Sequence, residues 1–171
     1  RATLGSAYVE FKKLEEARDV LYKAVDMLER SSSLGAKEQV LFGACFAHLG
    51  RLEWTAGAAE DALRCSEMQA ELFERFLPEL LDGADDQEVH ATVMATALSF
   101  RGLCESRMER YEKAIECLRK AEECVEKHKA INKDALAISR NIAERLEQAE
   151  HAARLQGIRE DYAAKGGPIP A

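Results

Sequence analysis

The chain has 171 residues, with 24 Lys and Arg against 31 Asp and Glu for a formal net charge of −7. That length allows one sizeable core or a short repeat array, and the negative balance disfavours nonspecific nucleic-acid binding, which needs a concentrated basic surface. Three prolines and ten glycines among abundant Ala, Leu, Glu, Arg and Lys form a helical composition and predict an all-α fold. Five cysteines at 45, 65, 104, 117 and 124 contain no CxxC pair. They are expected to be reduced, small apolar residues of an intracellular protein, with the cytoplasm as its compartment. No apolar run approaches the roughly 20 residues that span a bilayer.

In chain order, apolar residues recur at helical spacing over Ala2 to Glu10 and again over Leu14 to Arg30, with Phe11-Lys12-Lys13 read as a tight corner. The stretch "SSSLG" (31–35) breaks the pattern with cap-forming serines and a glycine. Ala36 to Leu49 and Leu52 to about Phe76 then make a second pair turning at Gly50. Pro78 and "PELLDGADDQE" interrupt the helical pattern and predict an exposed loop. A third pair follows, Gln87 to Met108 and Tyr111 to Lys129, and then a long helix over Lys133 to Ala164. Leu136, Ile138, Ile142, Leu146, Ala149 and Ala153 mark its one broad apolar face. The tail after it is expected to be disordered.

Superposing the pairs aligns Gly5, Gly43 and Gly102, each twelve residues before Ala17, Thr55 or Ala114. Leu21, Ala59 and Leu118 follow four residues later, and Ala24, Ala62 and Ala121 three after that. Small residues let helix backbones approach, and large ones fill the groove beside them. With "LGSAY" followed by "LEEARDVLYKA", and with "YEKAIECLRKA" in the third pair, residues 1 to about 129 resemble the tetratricopeptide repeat. The glycine spacings of 38 and 59 exceed the family's period of about 34, a lengthening similar to that of kinesin light chain or LGN-type adaptors.

The resemblance implies a right-handed α-solenoid in one domain over 1–165. Its repeats would lie at about 1–31, 36–77 and 87–129, with a capping helix at about 133–164 and a disordered tail at 166–171. It also implies a protein-interaction scaffold or adaptor whose concave groove, lined by first helices, takes a partner peptide or helix. Tyr8, Phe42, Phe46, Arg101 and Glu105 are the expected groove contacts. The alternative is a structural subunit packed permanently in a large assembly. Ser6, Ala44 and Leu103 follow the three glycines where chaperone-binding members place asparagine, which argues against that branch.

No catalytic role, cofactor or metal is expected. Cys117, Cys124 and His128 fall near one side of a single helix, but a tetrahedral zinc site needs a fourth ligand, so core thiols are the simpler reading. His48, His90 and His151 have acidic neighbours, yet there is no nucleophile elbow, phosphate loop or HExxH motif. Glu79, Asp82, Asp85, Asp86 and Glu88 form an acidic run without Lys or Arg. It reads first as a solvated connector and second as a docking site for a basic partner stretch. Its acids do not alternate as a calcium loop requires. Ser31, Ser32 and Ser33 read as helix caps that could also accept phosphate.

Overall fold

The computed structural model describes residues 2–30, 34–80, 84–126 and 133–164, with side chains described from residue 13 in the first helix, 87 in the fourth and 134 in the last. Among these residues the elements are α1 (Ala2–Glu29), α2 (Ala36–Ala56), α3 (Ala59–Phe76), a 3-10 turn (Pro78–Leu80), α4 (Ala84–Arg107), α5 (Tyr111–Glu126) and α6 (Lys133–Ala164). The chain divides into two compact units, Arg1–His90 and Ala91–Ala171, with the boundary inside α4.

Two expected corners are absent. Helix α1 runs straight through Phe11-Lys12-Lys13. None of these residues is a helix breaker, so local chemistry does not force a turn there. Helix α2 likewise continues through Gly50 and ends at Gly57, which adopts φ 85°. A helical glycine costs about 1 kcal/mol relative to alanine. Burying Leu49, next to Gly50 and 1% exposed, returns about 2 kcal/mol. The turn therefore moves seven residues along, to the glycine whose backbone can enter the left-handed region. The helix expected from Gln87 begins three residues earlier, at Ala84, inside the acidic run, so the second half of the expected loop is helical.

In the first unit, α2 and α3 form an antiparallel hairpin and α1 packs on α2. Val25, Phe42, Phe46, Leu49, Cys65 and Leu72 make its core, with Leu21, Leu28, Leu34 and Phe76 against them. The Phe42 and Phe46 ring centroids lie 4.8 Å apart. A Cβ on Gly43 would come within 2.6 Å of the Phe73 ring, so glycine there makes room for an aromatic side chain of α3.

The second unit has an alanine-rich core. Ala95, Ala114, Leu118, Ala121, Val125, Ala135, Ile142 and Ala149 are all at most 2% exposed. A Cβ on Gly102 would meet Leu118 Cγ at 2.8 Å and the Ala114 carbonyl oxygen at 3.2 Å. This is the close approach expected of that glycine. Helix α6 packs on α5 through Ile138, Ile142, Leu146 and Ala149. Leu136, expected on the packed face, is 36% exposed, and Ala135 is buried instead. Arg145 fastens α6 to α4 by donating from Nη1 to the Ser99 carbonyl (3.2 Å) and hydroxyl (3.0 Å).

Candidate protein-binding surface

The two hairpins share one construction, repeated at an interval of 52 residues. At the first turn Ala58 N–H donates to the Glu53 carbonyl (2.9 Å), Gly57 N–H to Trp54 (3.1 Å) and Ala62 N–H to Ala58 (3.0 Å). At the second, Arg110 N–H donates to Glu105 (3.0 Å), Glu109 N–H to Ser106 (3.1 Å) and Ala114 N–H to Arg110 (3.0 Å). Gly57 and Glu109 both take positive φ, at 85° and 59°. The structural counterpart of Gly102 is therefore Gly50 rather than Gly43. Twelve residues on from each lie Ala62 and Ala114, both fully buried.

The same register places a buried carboxylate three residues after each glycine. Glu53 is 0% exposed and Glu105 1%. Burying a charge is costly unless it is paired. Glu53 Oε1 accepts from the Tyr22 hydroxyl at 3.1 Å and pairs with Arg18 Nε at 2.6 Å, both on α1. Glu105 Oε2 faces Arg110 Nη1 at 3.7 Å, just past its own turn. The beside-lying carboxylate raises the Arg18 guanidinium's affinity for its proton. Burial, and then Glu53 and Asp61, push the Cys65 thiol up to about 11. Burial pushes Cys117 up as well, with Arg101 and Glu105 nearby. Raised thiols of this kind are inert packing groups rather than nucleophiles.

Three of the five expected groove contacts are core residues. Phe42 and Phe46 are 7% and 8% exposed, and Glu105 is 1%. Phe42 and Phe46 join Val25 of α1 and Cys65 and Leu72 of α3 in one core, and Glu105 faces Arg110 across its own turn. Arg101 is half-buried, and Tyr8 lies outside the described side chains. The arcs of the first helices that stay open hold other residues. On α2 these are Leu41 (55% exposed), His48 and Arg51, spaced so that they share one face. On α4, Thr96, Phe100 and Leu103 are half-buried and Arg107 is exposed. The 52-residue repeat pairs His48 with Phe100 and Arg51 with Leu103, a correspondence that an alignment on Gly43 and Gly102 misses.

Cys117 is buried and Cys124 half-buried, while His128 and the three serines lie outside the described residues. Among the described residues no three His, Cys, Asp or Glu side chains gather as a metal site, and no helix is long and apolar enough to cross a membrane. In comparison with known proteins, residues 95–123 match the family model described as tetratricopeptide repeat. The matched segment covers the second half of α4, the turn and most of α5. No curated protein and no solved structure matches the chain.

Proposed function

We propose that the chain is a protein-interaction scaffold whose hairpins present the open faces of their first helices to a partner segment. The observation that carries this reading is the tetratricopeptide match at 95–123 together with the same turn geometry 52 residues earlier. Repeats of this type generally mediate protein–protein interaction, and two copies supply two preformed faces. Leu41, His48 and Arg51 on α2, and Phe100, Leu103 and Arg107 on α4, are the contacts we assign. Apolar side chains supply affinity and the arginines set orientation by charge-assisted hydrogen bonds to a partner carboxylate. The reading gives the chain no catalytic chemistry.

The test is affinity capture with the full chain, followed by reconstitution with the purified partner. Leu41→Glu with Arg51→Glu, and separately Leu103→Glu with Arg107→Glu, should each weaken the reconstituted complex at least about tenfold while leaving the thermal melt unchanged. A partner bound equally well by both double variants would rule out these faces. The absence of any purified partner that binds directly would rule out the scaffold reading.

A further inference from the structure

Helix α1 has the sequence of a second hairpin helix, and among the described residues no first helix lies over it. Two observations place it in register with α5. Leu14, Ala17, Leu21 and Ala24 stand 97 residues before Tyr111, Ala114, Leu118 and Ala121. Independently, each helix reaches its successor through a pair 31 residues apart, Tyr22 to Glu53 in one unit and Arg119 to Glu150 in the other. These pairs are themselves 97 residues apart.

The register exposes a difference. Ala17, Val20, Ala24 and Met27 form one stripe, at successive offsets of 3, 4 and 3 along the helix. On α3 the equivalent residues are Ala62, Cys65, Gln69 and Leu72, which are 0%, 6%, 6% and 9% exposed beneath α2. On α5 they are Ala114, Cys117, Ala121 and Cys124, where the first three are at most 8% exposed and Cys124 is half-buried. On α1, Val20 is 65% and Met27 73% exposed. The neighbouring face of α1, about a quarter turn away with Leu21 at the border of the two, is the one used against α2, through Leu21, Val25 and Leu28. Because α1 is continuous over Ala2–Glu29, its own first turns prolong the axis instead of crossing this stripe.

We propose that this stripe is a docking site for an amphipathic helix of another protein, laid antiparallel to α1 as α4 is to α5. The inference rests on the scaffold reading and names the chemistry of one partner. The two helices that cover the equivalent faces both carry Gly-x-x-Glu, Gly50 to Glu53 and Gly102 to Glu105. The glycine is needed where backbones come closest, as the Leu118 approach to Gly102 shows. The glutamate meets a cation at the start of the second helix, where Glu105 faces Arg110. Ninety-seven residues before Arg110 stands Lys13, which is exposed. The partner helix therefore carries a glycine over Ala17 and Leu21, and an acid three residues later opposite Lys13. Larger apolar residues precede the glycine, over Val20 and Met27.

The experiment uses the full chain and a labelled synthetic peptide of residues 87–107, which contains Gly102 and Glu105, read by fluorescence anisotropy. Saturable binding is expected. It should weaken at least about tenfold with Val20→Glu plus Met27→Glu in the chain, and likewise with Gly102→Leu in the peptide. Lys13→Glu should weaken binding, and Glu105→Lys in the peptide should restore it to the Lys13→Glu chain. Both chain positions are exposed, so an unchanged thermal melt identifies the losses as interface effects. No binding, or equal binding by the Val20→Glu, Met27→Glu chain, overturns the proposal. So does a free chain that sediments as a dimer and becomes monomeric with those changes, because the occupant is then a second copy. A purified partner retained by this variant refutes the α1 site and leaves the scaffold standing. The absence of any protein partner refutes the scaffold itself.

Discussion

The α2–α3 and α4–α5 hairpins bury the same carboxylate and neutralise it differently. Glu53 depends on Arg18 and Tyr22, which a separate helix brings from far earlier in the chain. Glu105 finds Arg110 five residues on, across its own turn and at the longer distance of 3.7 Å. The first hairpin is thus tied to the docking of α1, while the second carries its counter-charge within the repeat. The cores differ in parallel. Phe42, Phe46 and Phe73 fill the first, whereas Ala95, Ala114 and Ala121 draw the helices of the second together.

The sharpest way to break this comparison is to remove the two arginines in turn. Arg18→Ala should cost about 2 to 3 kcal/mol, because Glu53 is left buried without a counter-ion. The loss stays near the low end of the range for buried pairs, since Arg18 is itself 42% exposed. Arg110→Ala should cost under about 1 kcal/mol, given its 46% exposure and longer separation. Urea midpoints of the two variants would measure both, and equal midpoints would contradict the comparison.

A second probe is pH. The Cys65 thiol titrates near 9 when unfolded and at about 11 when folded. The native state therefore holds a proton that the unfolded chain releases in that window. The contribution is intact below pH 9 and is lost as pH rises towards 11, amounting to roughly 2 kcal/mol at most. In paired urea titrations, wild type should lose stability relative to Cys65→Ala between those values. Parallel curves would show that the thiol is not held in this environment.

The smallest effects concern the turns. Gly57→Ala should cost about 1 kcal/mol, since a Cβ there meets nothing within 4 Å and only the positive φ penalises it. Glu109→Gly, at φ 59°, should be neutral to stabilising by about 0.5 kcal/mol, because relief of strain competes with the added freedom of the unfolded chain. Thermal melts of the pair check the opposite signs.

Much of this was legible in residue order. Apolar periodicity predicts the turn of the third hairpin and the long last helix closely, while α4 starts three residues ahead of the expected Gln87. Gly102, Ala114 and Leu118 met as their spacing predicts. The match at 95–123 falls on that hairpin. Harder to read were the corners at Gly50 and at 11–13, and with them the surface. A glycine inside a helix and a glycine ending one look alike until long-range contacts weigh on them. Phe42 and Phe46 carry no local mark that separates a core aromatic from a surface one, since the residues that bury them, Val25 on α1 and Leu72 on α3, are distant in sequence.

Sequence by itself determined the all-α class, the small residues at the hairpin contact of α4 and α5, and the apolar packing role of Cys65, Cys104 and Cys117, because these follow from propensity, spacing and side-chain size. Tertiary structure alone decided that α2 passes through Gly50 to turn at Gly57, that Glu53 takes its counter-charge from α1, and that Val20 and Met27 stay uncovered. Those outcomes depend on which distant groups share a buried volume, and the free energy of a buried charge or a lodged aromatic ring is set by neighbours that one-dimensional order does not bring together.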